Sequence, residues 1–176
     1  MPSKVPLNLG LTRFAFHWQR LYLVGALIWA IDFTTKVWAL ESVSPVKPTP
    51  IIGSFLQLRL VFNPGAAFSV GTNITFIFTI LSGAAVAGIA YYAVKIDNRW
   101  WSMVLGLALG GILGNLTDRI FRQPSPFNGH VIDWIELPRW PVFNIADMAI
   151  VCAAVLSVVL ITKEIPPFAP LGDQKK

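Results

Sequence analysis

Four stretches of this chain, 21–40, 74–94, 100–116 and 142–162, stay apolar for roughly the twenty residues that a helix needs to cross a bilayer's hydrocarbon core. Runs of that length read as transmembrane helices. Composition agrees, because 176 residues that are 55% hydrophobic and only 13% charged, with a mean hydropathy of +0.61, are too apolar for a soluble domain of that length. The third run is the shortest and the richest in glycine, which suits a helix enclosed by the others. The expected architecture is an all-α membrane protein: four transmembrane helices with a small β ribbon and an irregular loop on the outer face. A tail at 1–20, a four-span domain at 21–163 with outer loops at 41–73 and 117–141, and a second tail at 164–176 complete it.

Charge sets the expected orientation, since cytoplasmic flanks carry the excess of Lys and Arg. Eight such residues (Lys4, Arg13, Arg20, Lys95, Arg99, Lys163, Lys175 and Lys176) flank one side, against five in the two loops opposite (Lys47, Arg59, Arg119, Arg122 and Arg139), which five acids balance. Both termini are therefore expected in the cytoplasm of a multi-pass membrane protein. The formal net charge of +5 then faces anionic headgroups rather than nucleic acid. The first apolar run is too long for a secretory signal, carries Asp32 and Lys36, and lacks a small-residue cleavage site, so it reads as a retained span. A single cysteine, Cys152, excludes an intramolecular disulfide and a thiolate metal cluster; its expected role is packing.

The cytoplasmic side is left with a tight turn and two tails, which directs attention to the outer loops. In IIGSFLQLRLVFNPGAAFSV, Leu56, Leu58, Leu60 and Phe62 alternate with Gln57 and Arg59, the period of a strand ribbon. The second loop is broken by Pro124, Pro126 and Gly129 and carries Trp134 and Trp140 as interfacial anchors.

Ionisable residues in or near a span are costly and are functional candidates by default. Asp32 and Lys36 are four apart, the order that favours an ion pair on one helix face. Gly106, Gly110 and Gly114 make a stripe for close helix packing. Asn115, Asp118 and Arg119 end the third run; for the last two, a surface ion pair is the simplest reading. Asp133, amid apolar neighbours in HVIDWIEL, and Asp147, one turn into the fourth run, belong to the outer half. Should the loop fold back so that they meet, both could not ionise freely, and one would keep a proton near neutral pH. Such a dyad supplies the base and the acid that peptide hydrolysis needs, with Asn115 and Asn144 as orienting amides. Asp147 as a helix cap or a partner of Arg119 is the alternative. One histidine, His130, among scattered carboxylates is a weak metal site.

Asp32 with Lys36, NPGAAFS (63–69), GGILGNLTDR (110–119), HVIDWI (130–135) and VFNIADMAI (142–150), in that order, resemble the lipoprotein signal peptidases, or type II signal peptidases, of bacterial membranes. The likeness covers roughly 21–163. It implies a membrane aspartic endopeptidase that cuts pro-lipoproteins before a diacylglyceryl-modified cysteine, with no metal or organic cofactor. By the family pattern, Asp133 and Asp147 would be the catalytic dyad. Asn115 and Asn144 would steady it, Asn63 and Arg119 would hold substrate backbone, and Asp118, Gly111, Gly114 and Ala146 would shape the site. Asp32 and Lys36 would form a structural pair. The implied site is the outer face of the bacterial cytoplasmic membrane, its partners are pro-lipoproteins and membrane lipids, and the chain is expected to act as a monomer.

Departures from the family pattern are Pro64 after Asn63, a long 120–129 stretch, and Trp134 where a smaller aromatic is common. Two rivals remain from sequence: a small transporter, which would want midplane acids and an inverted repeat, and a non-catalytic lipoprotein-binding membrane factor with the same outer groove. A metal hydrolase would lose activity with chelator, whereas a carboxylate dyad would keep it.

Overall fold

The computed structural model describes residues 15–65 and 75–168; most of both tails and the 66–69 half of the NPGAAFS motif lie outside the described residues. Among the described residues, four helices are long and apolar enough to cross a membrane: α1 (Ala15–Ser42), α2 (Thr75–Ala93), α3 (Arg99–Phe121) and α4 (Ile145–Thr162). Three strands lie between them: β1 (Thr49–Ile52), β2 (Leu56–Asn63) and β3 (Val131–Glu136). The second loop, expected to be irregular, thus contributes a strand, and the sheet is antiparallel in the order β1-β2-β3.

Helices α1 and α3 run past their apolar runs, to Ser42 and Phe121; in α3 the polar residues beyond the run, Asp118 and Arg119, are buried and paired rather than left in lipid. The fourth helix starts later than its apolar run: 141–144 is extended, and Phe143 bridges to Ile135 beside β3. Asn144 then caps α4. Its side chain accepts from the Asp147 N–H while the Asp147 carboxylate accepts from the Asn144 N–H, a reciprocal capping box that fixes where the helix begins.

Helix α3 is the most enclosed of the four, as its glycines predict. A Cβ at Gly106 would meet Leu21 O and Val24 Cβ at 2.8 Å, and one at Gly110 would meet Gly25 O and Ile28 Cβ at 2.6 Å, so the stripe is the seat for α1. Gly111, one residue round the helix, seats α4: a Cβ there would lie 2.5 Å from Ala146 O and 2.8 Å from Ile150 Cγ1. Helix α2 closes the other side through a cluster of Leu21, Ala93 and Leu109 with Val86, Ile89, Leu105 and Leu113 around it.

The sheet rests on the end of α1 through Ala39, Val43, Leu60 and Ile132, with Leu58 and Trp134 packed against them. Trp134 meets Trp38 edge-on, with ring centroids 5.4 Å apart, while Trp140 stays exposed. A register shift between Leu58 and Val61 breaks the simple alternation of β2, so that Leu60 is buried but Phe62 is 49% exposed. Beyond the shift Val61 pairs with Asp133 and Asn63 with Val131, which brings the end of β2 to the aspartate of β3. Cys152 is exposed on the outer flank of α4 rather than packed inside.

Candidate active site

The polar residues that interrupted the lipid pattern converge at the sheet end of the bundle. Asp133 reaches in from β3, where it is 1% exposed. Asp147 comes from the first turn of α4 and is half-buried. Three asparagines tie them together. Asn144 Nδ2 donates to Asp133 Oδ1 at 2.6 Å, and Asn63 Nδ2 donates to Asp133 Oδ2 at 3.0 Å. Asn115 Nδ2 donates to Asp147 Oδ1 at 2.8 Å, and its own Oδ1 accepts from Asn144 Nδ2 at 3.1 Å. Asn144 is therefore cap, bridge and orienting amide at once. The turn after Asn63 is fixed by the Gly65 N–H, which donates to Asn63 Oδ1 at 3.0 Å, so Pro64 stiffens a turn whose asparagine still reaches the site.

Burial holds the Asp133 carboxyl at about 7, well above its ordinary 3.8, and the negative charge of Asp147 pushes the same way; the amides of Asn63 and Asn144 and the charge of Lys36 oppose them. Near neutral pH, Asp133 is thus close to half-protonated, the condition for one carboxyl of a pair to give a proton while the other takes one.

Arg119 is buried beside both aspartates, not at the surface. It donates through Nη2 to Gly65 O at 3.2 Å and through Nη1 to Asn115 O at 3.4 Å, while its Nε makes no hydrogen bond among the described residues. Asp118, its sequence neighbour, does not pair with it. Successive helix residues point about 100° apart, and Asp118 turns instead toward Lys36 (2.8 Å) and Arg122, with Oδ2 also accepting from the Ile132 N–H at 3.2 Å. The simple surface pair expected of these two residues is thereby replaced by two buried, separate roles.

The remaining site residues fall into two groups. Asn63, Asn115, Arg119, Asp133 and Asp147 line a cleft of about 260 Å³, walled further by 140–143 and by Ile150 and Val151 of α4. Gly111, Gly114 and Ala146 do not line it; they let α3 and α4 approach, and a Cβ at Gly114 would collide with the Asp32 carboxylate. Asp32 and Lys36 form the expected ion pair, 2.7 Å apart and fully buried. Sequence reasoning missed Arg122, although its spacing of four from Asp118 was readable, and missed Phe143, whose backbone pairing with β3 carries no side-chain signal. Among the described residues no group of three His, Cys, Asp or Glu side chains is placed to hold a metal ion.

The family model for signal peptidase (SPase) II matches residues 24–163. The lipoprotein signal peptidases of Rhodococcus jostii (strain RHA1) and Mycobacterium avium (strain 104) are each 44% identical to this chain, over 146 and 140 residues. Those alignments cover 82% and 80% of this chain and 74% and 77% of the relatives. A solved bacterial membrane enzyme at 23% identity shares the fold, with a TM-score of 0.74 over 82% of this chain and 88% of that one. A match that runs from the first span to the end of the fourth, with relatives this similar along it, leaves one assignment: the chain belongs to the signal peptidase II family and is a membrane-embedded protease.

Proposed function

We propose that the protein is an aspartic endopeptidase that removes signal peptides from bacterial pro-lipoproteins, hydrolysing the bond on the N-terminal side of a diacylglyceryl-modified cysteine. The observation that carries this reading is the meeting of Asp133 and Asp147 from separate elements, joined through Asn144 and Asn115, with Asp133 poised at about 7. A water between the carboxylates gives a proton to Asp147 as its oxygen attacks the scissile carbonyl carbon, and Asp133 protonates the carbonyl oxygen. The gem-diol then collapses: one hydroxyl proton returns to Asp133, the proton on Asp147 goes to the leaving amine, and the C–N bond breaks. No metal or organic cofactor enters these steps. Arg119, whose Nε makes no hydrogen bond among the described residues, and Asn63 are the groups we assign to the substrate backbone.

The wall of the cleft formed by Ile150 and Val151 supports a lipid-bearing substrate. Val151 is exposed on the outward flank of α4, so a cysteine held by its acyl chains in the bilayer can present its peptide bond from the side. The sheet end, with the site, is assigned to the outer leaflet, and the end carrying Lys95, Arg99 and Lys163 to the cytoplasm with both termini. The chain is proposed to work as a monomer among membrane lipids. The test is a mass-spectrometric cleavage assay in detergent on a pro-lipoprotein with and without its diacylglyceryl group. Cleavage before the lipidated cysteine by the wild type, and none by Asp133→Asn or Asp147→Asn, is the expected result. Near-normal turnover by either variant removes that residue from the dyad, and binding without cleavage by the wild type would make the protein a lipoprotein-binding factor.

A further inference from the structure

A buried lysine that does not line the cleft stands behind both aspartates. Lys36 is 1% exposed, within a transmembrane helix near its sheet end, where a buried ammonium is tolerated only when all its protons are taken. They are: Nζ lies 2.7 Å from Asp32 Oδ2, 2.8 Å from Asp118 Oδ2 and 3.0 Å from Asn115 Oδ1.

Each of these three partners goes on to the dyad. Asp32 Oδ1 accepts from the Ala146 N–H at 2.9 Å, the residue before Asp147. Asp118 Oδ2 accepts from the Ile132 N–H, the residue before Asp133. Asn115 donates directly to Asp147. A structural ion pair would need only the first contact.

We propose that Lys36 is a positioning residue for the catalytic dyad, a hub on α1 whose three contacts fix the α4 and β3 segments that carry Asp147 and Asp133; this rests on the assignment of those two aspartates as catalytic.

The arm through Asn115 also settles which way that amide points. Its Oδ1 faces two donors, Lys36 Nζ and Asn144 Nδ2, and its Nδ2 faces the Asp147 carboxylate. A flipped amide would set donor against donor and acceptor against acceptor. Without the ammonium the Asn115 oxygen would keep only the Asn144 donor. The charge matters as well as the geometry. Asp133 is faced by Asp147 from α4, by Lys36 from α1 and by Arg119 from α3, and the positive charge of Lys36 is among the influences that hold its carboxyl down.

The experiment compares wild type, Lys36→Met and the double variant Asp32→Asn/Lys36→Met in the lipopeptide cleavage assay, with Asp133→Asn and Asp147→Asn alongside. The double variant removes the ion pair as a unit and leaves Asp118 with Arg122, so it keeps the test open should the single variant fail to fold. The expected result is a fall in kcat of about 100-fold, the scale for a reacting geometry loosened by about an ångström, with KM within about threefold of the wild type. The alkaline limb of the kcat–pH profile should also move upward. A kcat within about threefold of the wild type with an unmoved limb, in a folded variant, would overturn the positioning role and leave Lys36 a structural pair. Activity surviving in Asp133→Asn or Asp147→Asn would instead remove the dyad on which the inference stands.

Discussion

Replacing Asp133 by asparagine is predicted to destroy cleavage and yet stabilise the protein at alkaline pH. A carboxyl that ionises near 7 when folded but near its ordinary 3.8 when exposed costs the folded state about 4 kcal/mol once both forms are ionised. The sign follows from proton binding. Between those two values the folded protein holds a proton that the unfolded chain has lost, so stability falls as pH rises from about 4 to about 7 and is flat beyond. An asparagine has no charge to desolvate, but it brings a new mismatch. Asn63 Nδ2 and Asn144 Nδ2 donate to the two carboxylate oxygens, so the new amide nitrogen must face one of them, at a cost of about 1–3 kcal/mol. The net expectation at pH 8 is a variant more stable by about 1–3 kcal/mol. The assay is thermal unfolding in detergent followed by tryptophan emission, which Trp134 makes sensitive to the sheet. Between pH 5 and pH 8 the wild type should lose about 3 kcal/mol, or about 5–10 °C in Tm, relative to the variant. Parallel pH dependences for the two proteins, or a variant less stable at pH 8, would refute the claim that burial and Asp147 hold the Asp133 proton.

The other expectations concern single contacts. Asp147→Asn removes the second-largest influence raising Asp133, so carboxyl NMR should find Asp133 titrating below about 7. Asn63→Ala removes a hydrogen bond that favours the ionised form, so the same measurement should find it higher, with cleavage reduced. Asn144→Asp keeps an oxygen to cap α4 but replaces the amide donor to Asp133 by a third carboxylate; circular dichroism should show the helix intact while cleavage is lost. Gly111→Ala drives a methyl into Ala146 O and Ile150, and should lower stability by about 1–3 kcal/mol in a detergent melt.

The four helices were legible because hydropathy reports lipid directly, and the glycine stripe of α3 because small residues at intervals of four have few other uses. The ends of the helices were less legible. Apolar runs stop where polar residues begin, but α3 continues through Asn115, Asp118 and Arg119 because partners on other elements await them. Strand β3 was hidden by the proline and glycine breakers before it and by its shortness. In the candidate site most residues could be named, Arg122 and Phe143 excepted, while the wiring could not. Asp118 beside Arg119 looks like a pair on paper, yet the helical turn sends them apart, and of the two partners of Asp118 one is Arg122 and the other lies 82 positions earlier on α1. The expected packing role for Cys152 fails for a related reason: hydropathy marks α4 as a span without saying which of its faces meets lipid.

The two ion pairs built on a spacing of four, Asp32 with Lys36 and Asp118 with Arg122, bear on how the chain enters the bilayer during synthesis. Each helix brings its own counter-ion, so α1 can leave the translocation machinery as a neutral segment before α3 exists. The cross-helix bridge from Lys36 to Asp118 forms only when α3 arrives and docks its glycines on α1. The local pairs persist in the finished bundle, where the bridge from Lys36 to Asp118 joins both into one network across α1 and α3.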